Sequence, residues 1–152
     1  MPSLGCTDSV STRPVETNAT ASSPKLGRTL IGVCTFNEAS NIEAIVWRLR
    51  QSIPEATVLV VDDDSPDDTA QLVRIMMDQD PHIELIVRKD ERGLGGAIRK
   101  AMERAIEGGY EYFLNLDADL SHSPEELASL LSTARESDVG VVIGSRYVPG
   151  GR

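Results

Sequence analysis

Residues 57–76 read TVLVVDDDSPDDTAQLVRIM, and the change of rhythm inside this stretch decides the fold. Val58, Leu59, Val60 and Val61 form a continuous apolar run, the pattern of a strand buried on both faces. Asp62, Asp63 and Asp64 end it. Beyond them Ser65 reads as an N-cap with Pro66 at the first helical position, and Leu72, Val73 and Met76 recur on one side of the helix that follows. A buried strand, an acidic end and an amphipathic helix make one βα unit.

The same unit repeats on either side. Upstream, the run Leu30 to Cys34 precedes Ser40-Asn41-Ile42-Glu43, which reads as a capping box, and then Ile42, Ile45, Val46 and Leu49 at helical spacing. Downstream, Ile83 to Val87 leads to a helix with Leu94, Ala97, Ile98, Ala101 and Ala105 on one side. Tyr112 to Leu116 leads to a capped start at Ser123-Pro124 and a helix with Leu127, Leu130, Leu131 and Ala134 inward. Val139 to Ile143 reads as a fifth strand. This alternation predicts an open, doubly wound, mostly parallel α/β sheet with helices on both faces, whose ligands sit beyond the carboxyl ends of the strands. Residues 1–28, rich in Ser, Thr, Pro and Ala without periodicity, read as a disordered leader, leaving residues 29–152 as the folded part.

Composition narrows the class. The chain has 152 residues, 40% hydrophobic but 4% aromatic, which suits one domain with an aliphatic core. Net charge is −9, and after residue 28 there are 12 bases against 22 acids. Such a surface repels phosphate backbones, so nucleic acid is not expected as a partner. Two cysteines, Cys6 and Cys34, supply neither a zinc spacing nor a disulfide framework, which points to a reducing, cytoplasmic setting. No apolar run reaches the length of a membrane span.

Polar residues crowd the predicted strand ends. Asp117-Ala118-Asp119 offers two carboxylates one residue apart, able to share magnesium or manganese with a substrate's phosphates; an acidic turn that solvates a loop is the plainer alternative. In Asp62-Asp63-Asp64 the repulsion calls for a cation, ribose hydroxyls or the N–H groups of a base, because helix capping accounts for Ser65 to Asp68 but not for Asp62 and Asp63. Arg92-Gly93-Leu94-Gly95-Gly96-Ala97 either brings backbone N–H groups to a phosphate or makes a tight turn. Arg146 is placed to receive a phosphate. His82, His122 and the serines form no nucleophile arrangement.

Taken together, CTFNE (34–38), VDDDSPDDT (61–69), RGLGGA (92–97), LDADLSH (116–122) and GSRYVPGG (144–151) resemble, in order and spacing, the dolichyl-phosphate mannosyltransferase (polyprenyl monophosphomannose synthase) branch of the GT-A family 2 glycosyltransferases, over nearly all of Thr29 to Gly151. The resemblance implies a GT-A (Rossmann-like) fold. It assigns donor contacts to Cys34, Phe36, Glu38, Val61, Asp63, Asp117, Ala118, Asp119 and Arg146, metal ligation to Asp117 and Asp119, and catalytic roles to Asp119 and Arg146. The family usually has Pro and Tyr where this chain has Cys34 and Phe36, which leaves a base to stack on Phe36 without a hydroxyl beside it. Family domains also continue past GSRY, so the resemblance implies a chain truncated at its C-terminus and weakly active or inactive alone.

The implied activity is inverting, metal-dependent transfer of mannose from GDP-mannose to dolichyl or polyprenyl phosphate, by an enzyme peripheral to the cytoplasmic face of a membrane. The related transfer of glucose from UDP-glucose is the nearest alternative. A haloacid-dehalogenase-type phosphatase built on Asp117 to Ser121 would need a lysine and a second acidic pair within the 33 residues after Asp119. A receiver-like domain built on Asp62 and Asp63 would need a lysine after the last strand, where this chain has Arg146. A degenerate domain that binds nucleotide sugar without turnover is the blandest reading. Arg88, Lys89, Arg92, Arg99, Lys100 and Arg104 form either a face toward anionic lipid or an ordinary solvated helix face.

Overall fold

The computed structural model describes residues 27–90, 92–119, 123–137 and 139–145. Strands and helices alternate: β1 (Thr29–Thr35), α1 (Ile42–Ser52), β2 (Thr57–Asp62), α2 (Thr69–Met77), β3 (Ile83–Val87), α3 (Leu94–Glu107), β4 (Tyr112–Asp117) and α4 (Pro124–Glu136). All strand pairs are parallel, in the order β3-β2-β1-β4. β1 lies between β2 and β4, and all seven of its residues are buried.

Alternate residues of each strand feed two separate cores. Ile31 and Val33 of β1 and Val58 and Val60 of β2 pack with Ile42, Ile45, Val46 and Leu49 of α1, Val73 and Met76 of α2, and Leu127 and Leu131 of α4. On the other face Leu30, Cys34, Leu59 and Val61 pack with Ala97, Ala101 and Ala105 of α3. Burial of each large aliphatic side chain contributes about 1.5–3 kcal/mol before conformational entropy is set against it. The small alanines let α3 lie close to the sheet. Helices therefore cover both faces, as the periodicity predicts.

Four local expectations fail, each for a physical reason. Helix α1 starts at Ile42 after Asn41, with no side-chain cap, because the Glu38 carbonyl accepts the N–H groups of both Asn41 and Ile42. Helix α2 starts at Thr69, not at Pro66. Asp62 has captured Ser65: the Ser65 N–H donates to Asp62 Oδ2 (2.9 Å) and its hydroxyl to Asp62 Oδ1 (2.6 Å), which holds 62–65 as a turn. Leu94 is 53% exposed at the first position of α3 instead of facing inward, because there it borders an open crevice and not the packed sheet. Residues 139–143 form no strand; Val139, Val141 and Ile143 are 53%, 75% and 79% exposed, and no ladder in the described residues accepts their backbone groups.

Of the leader, residues 1–26 lie outside the described residues. Gly27 and Arg28, placed at its end, are instead joined to the fold by contacts and hydrogen bonds. Gly27 is buried, and the Arg28 guanidinium donates to the Gly108 carbonyl (2.5 Å) over the ring of Tyr110. The Arg28 carbonyl accepts the N–H groups of Glu111 and Tyr112, which extends the β1–β4 ladder backward.

Candidate active site

The register of the sheet sets three positions in one row at its carboxyl end: Val61 pairs with Cys34, and Cys34 with Asp117. The next row pairs Thr35 with Asp62 and Asp62 with Val87. Loops leaving these rows, together with the start of α3, enclose a cavity of about 380 Å³ lined by Cys34, Thr35, Phe36, Asp63, Arg92, Gly93, Leu94 and Ala97. Motifs from the first, second and third βα units thus meet in one crevice.

Its charges are balanced from within. Asp62, fully buried, accepts from the Thr35 hydroxyl (2.9 Å) as well as from Ser65. Asp63 accepts Arg88 Nη1 on Oδ1 (2.8 Å) and the Gly93 N–H on Oδ2 (2.6 Å). Within the chain, a serine, a threonine, an arginine and a backbone N–H hydrogen-bond these two acids. The sequence reading passes over Arg88 as a site residue. An arginine immediately after an apolar strand is the one signal the sequence carries for it.

One wall of the cavity is amphipathic. Phe36 is 46% exposed, and the Arg92 guanidinium stands 5.2 Å from its ring centroid, a cation–π distance. Arg92 Nη2 also donates to the Asp64 carbonyl at 3.4 Å. Gly93, at φ +130°, makes the turn that a side chain would strain, and its N–H points at Asp63. At the floor, burial pushes the Cys34 thiol up to about 11, with Asp117 and Asp63 adding to the rise and Arg88 opposing it. The thiol donates to Asn115 Oδ1 at 3.7 Å.

The remaining expected residues are distributed as follows. Val61 is fully buried and Ala118 is 2% exposed, so neither side chain is open to solvent. Asp117 is half-buried at the end of β4 and Asp119 is exposed two residues later. Glu38 does not line the cavity: its carboxylate accepts from Asn41 Nδ2 (2.8 Å), and its N–H donates to Thr69 Oγ1 (3.1 Å), tying the β1 loop to the start of α2. Arg146 lies outside the described residues.

Residues 30–152 match the profile of glycosyl transferase family 2. The undecaprenyl-phosphate mannosyltransferase of Micrococcus luteus is 42% identical over 125 residues, a match covering 82% of this chain and 51% of that protein. The polyprenol monophosphomannose synthase of Mycolicibacterium smegmatis is 41% identical over 125 residues, covering 82% and 47%. Among solved structures, a mannosyltransferase from Pyrobaculum calidifontis in complex with GDP-Man and Mn2+ superposes with a TM-score of 0.59 at 28% identity, covering 69% of this chain and 31% of that one. The chain spans about half the length of the curated relatives it matches. The parallel sheet with its crevice at the carboxyl ends and the profile match over residues 30–152 agree, and the chain belongs to glycosyl transferase family 2.

Proposed function

We propose that this chain forms the nucleotide-sugar half of an inverting transferase that moves mannose from GDP-mannose to a polyprenyl phosphate such as dolichyl phosphate. The observation that carries the reading is the convergence of Cys34, Phe36, Asp63 and the Arg92-Gly93 turn on one cavity, with Asp117 in the row next to Cys34. A flat aromatic surface, an oriented carboxylate and a backbone turn suit a base, a ribose and a diphosphate. The names of the Micrococcus and Mycolicibacterium relatives support a lipid phosphate as acceptor.

The acid pair suits a divalent ion. Asp117 and Asp119 present hard oxygen donors from one strand end, and among the described residues no group of three or more His, Cys, Asp or Glu side chains could hold a metal. Two carboxylates completed by substrate phosphates is the arrangement magnesium and manganese accept. When bound there, the ion would neutralise charge on the departing diphosphate. The protein's part is to bind and orient the donor so that an acceptor oxygen lies in line with the anomeric carbon. No general base is required, because a phosphate monoester with a second pKa near about 6 is already mostly dianionic at neutral pH. Arg146 is assigned to the diphosphate on resemblance.

The enzyme would work as a peripheral protein at the cytoplasmic face of a membrane. Among the described residues, no helix is long and apolar enough to cross one. Calorimetry and thermal melts against GDP-mannose, GDP and UDP-glucose, each with and without Mn2+, test the reading. GDP compounds should bind in a manganese-dependent way, and Asp119→Ala should weaken that binding at least roughly tenfold, the scale of a lost charge contact. A preference for UDP-glucose would move the donor assignment, and absence of binding to every nucleotide would end it.

A further inference from the structure

We infer that Arg88 is a positioning residue of the donor site, one that fixes the Asp63 carboxylate and the Gly93 turn in register with each other, in a space left open by Gly96. The inference rests on the donor-site reading above.

Arg88 follows β3, and its N–H continues the ladder by donating to the Asp62 carbonyl (2.8 Å). Its guanidinium turns inward. Nη1 donates both to Asp63 Oδ1 (2.8 Å) and to the Gly93 carbonyl (3.2 Å), while the Gly93 N–H returns to Asp63 Oδ2 (2.6 Å). One carboxylate and one guanidinium thereby join the ends of β2 and β3 to the start of α3. Both Asp63 and Gly93 line the cavity, and Arg88 does not.

The pair is nearly dry, with side chains 11% and 7% exposed. A buried ion pair yields little net stability against apolar residues of the same size, so stability alone is a poor account of it. What it provides is a carboxylate that cannot rotate. Each carboxylate oxygen has two acceptor sites, and one protein donor on each leaves the other for a ligand N–H or hydroxyl. Cancelling the Asp63 charge also removes a repulsion that a diphosphate would meet. The space is specific: a Cβ at Gly96 would collide with Arg88 Nη2 and lie 3.1 Å from Cζ.

That collision separates positioning from folding. Gly96→Ala places a better helix former inside α3, and the atom it meets is the far end of a flexible side chain, so the fold should tolerate it. GDP with Mn2+ is titrated into the wild-type chain, Gly96→Ala, Arg88→Lys, Arg88→Met, Asp63→Asn and the Arg88→Met/Asp63→Asn double variant, with a thermal melt of each. Gly96→Ala should remain folded, with a melting temperature no lower than that of Arg88→Met, while losing about tenfold in GDP affinity, the size of one coupled contact. Arg88→Met should lose as much or more, with Arg88→Lys in between. In a chain already carrying Asp63→Asn, the Arg88 change should add less than about threefold, because the two act as one unit. Wild-type affinity in folded Gly96→Ala and Arg88→Met, or additive losses in the double variant, would overturn the inference while leaving the donor site standing. A wild-type chain that binds no GDP removes the donor-site reading and this inference with it.

Discussion

At the end of β1 the chain puts a thiol among carboxylates, and the consequence is a pH dependence with a definite sign. The Cys34 thiol in the fold ionises at about 11, against an ordinary 9.0, chiefly because it is buried and secondarily because Asp117 and Asp63 face it. Below pH 9 the thiol is neutral whether the chain is folded or not. Between about 9 and 11 the unfolded chain ionises first, so stability should fall with rising pH over that window. Melting temperatures of wild type and Cys34→Ala compared from about pH 8 to about 10.5 isolate this contribution; parallel curves would contradict it. The resemblance names Cys34, Phe36 and Asp63, and all three line the one cavity, since each stands at or just past a strand's carboxyl end. Arg88 was not legible, because sequence cannot say that its guanidinium reaches an acid 25 positions back.

Among the elements, those with an unbroken apolar rhythm were read almost to the residue. Ile83–Val87 is both the predicted and the observed third strand, and Ser123 does precede the helix that Pro124 opens, although its hydroxyl makes no cap and donates to the Glu125 carboxylate. Helix starts rich in Ser and Asp were misread, since these side chains serve turns as readily as caps. Ser65 makes the case: its hydroxyl donates to fully buried Asp62 and accepts the N–H of Asn37 (2.9 Å), so it locks two loops together and caps nothing. Ser65→Ala should therefore destabilise by about 1–2 kcal/mol in urea unfolding, the cost of leaving buried acceptor capacity unmet. Far-UV helicity of the folded protein should stay the same, because α2 begins at Thr69 without using the Ser65 hydroxyl. The expected strand at 139–143 failed for the opposite reason, since an apolar run becomes a strand only when a neighbour accepts its hydrogen bonds.

Across the whole molecule, the two-sided sheet and its crevice were legible because the alternation of strand and helix leaves few other ways to bury both kinds of apolar face. The order β3-β2-β1-β4 was not, and it has a consequence for how the protein comes into being. Cys34 and Asn115 touch although they stand 81 residues apart in the chain, so the second neighbour of β1, beside the cavity's Cys34, arrives only with β4. A ribosome that has delivered β3 has exposed a half-built sheet whose central strand still lacks a neighbour. Contacts this distant in sequence slow folding, because a long loop must close before they give anything back. Refolding followed by Trp47, which packs against the core under α1, should accordingly be slower than for helical chains of this size, and recovery of GDP binding should keep pace with it. The thiol that borders the donor crevice would then gain its Asn115 partner only once this slow, long-range pairing is made.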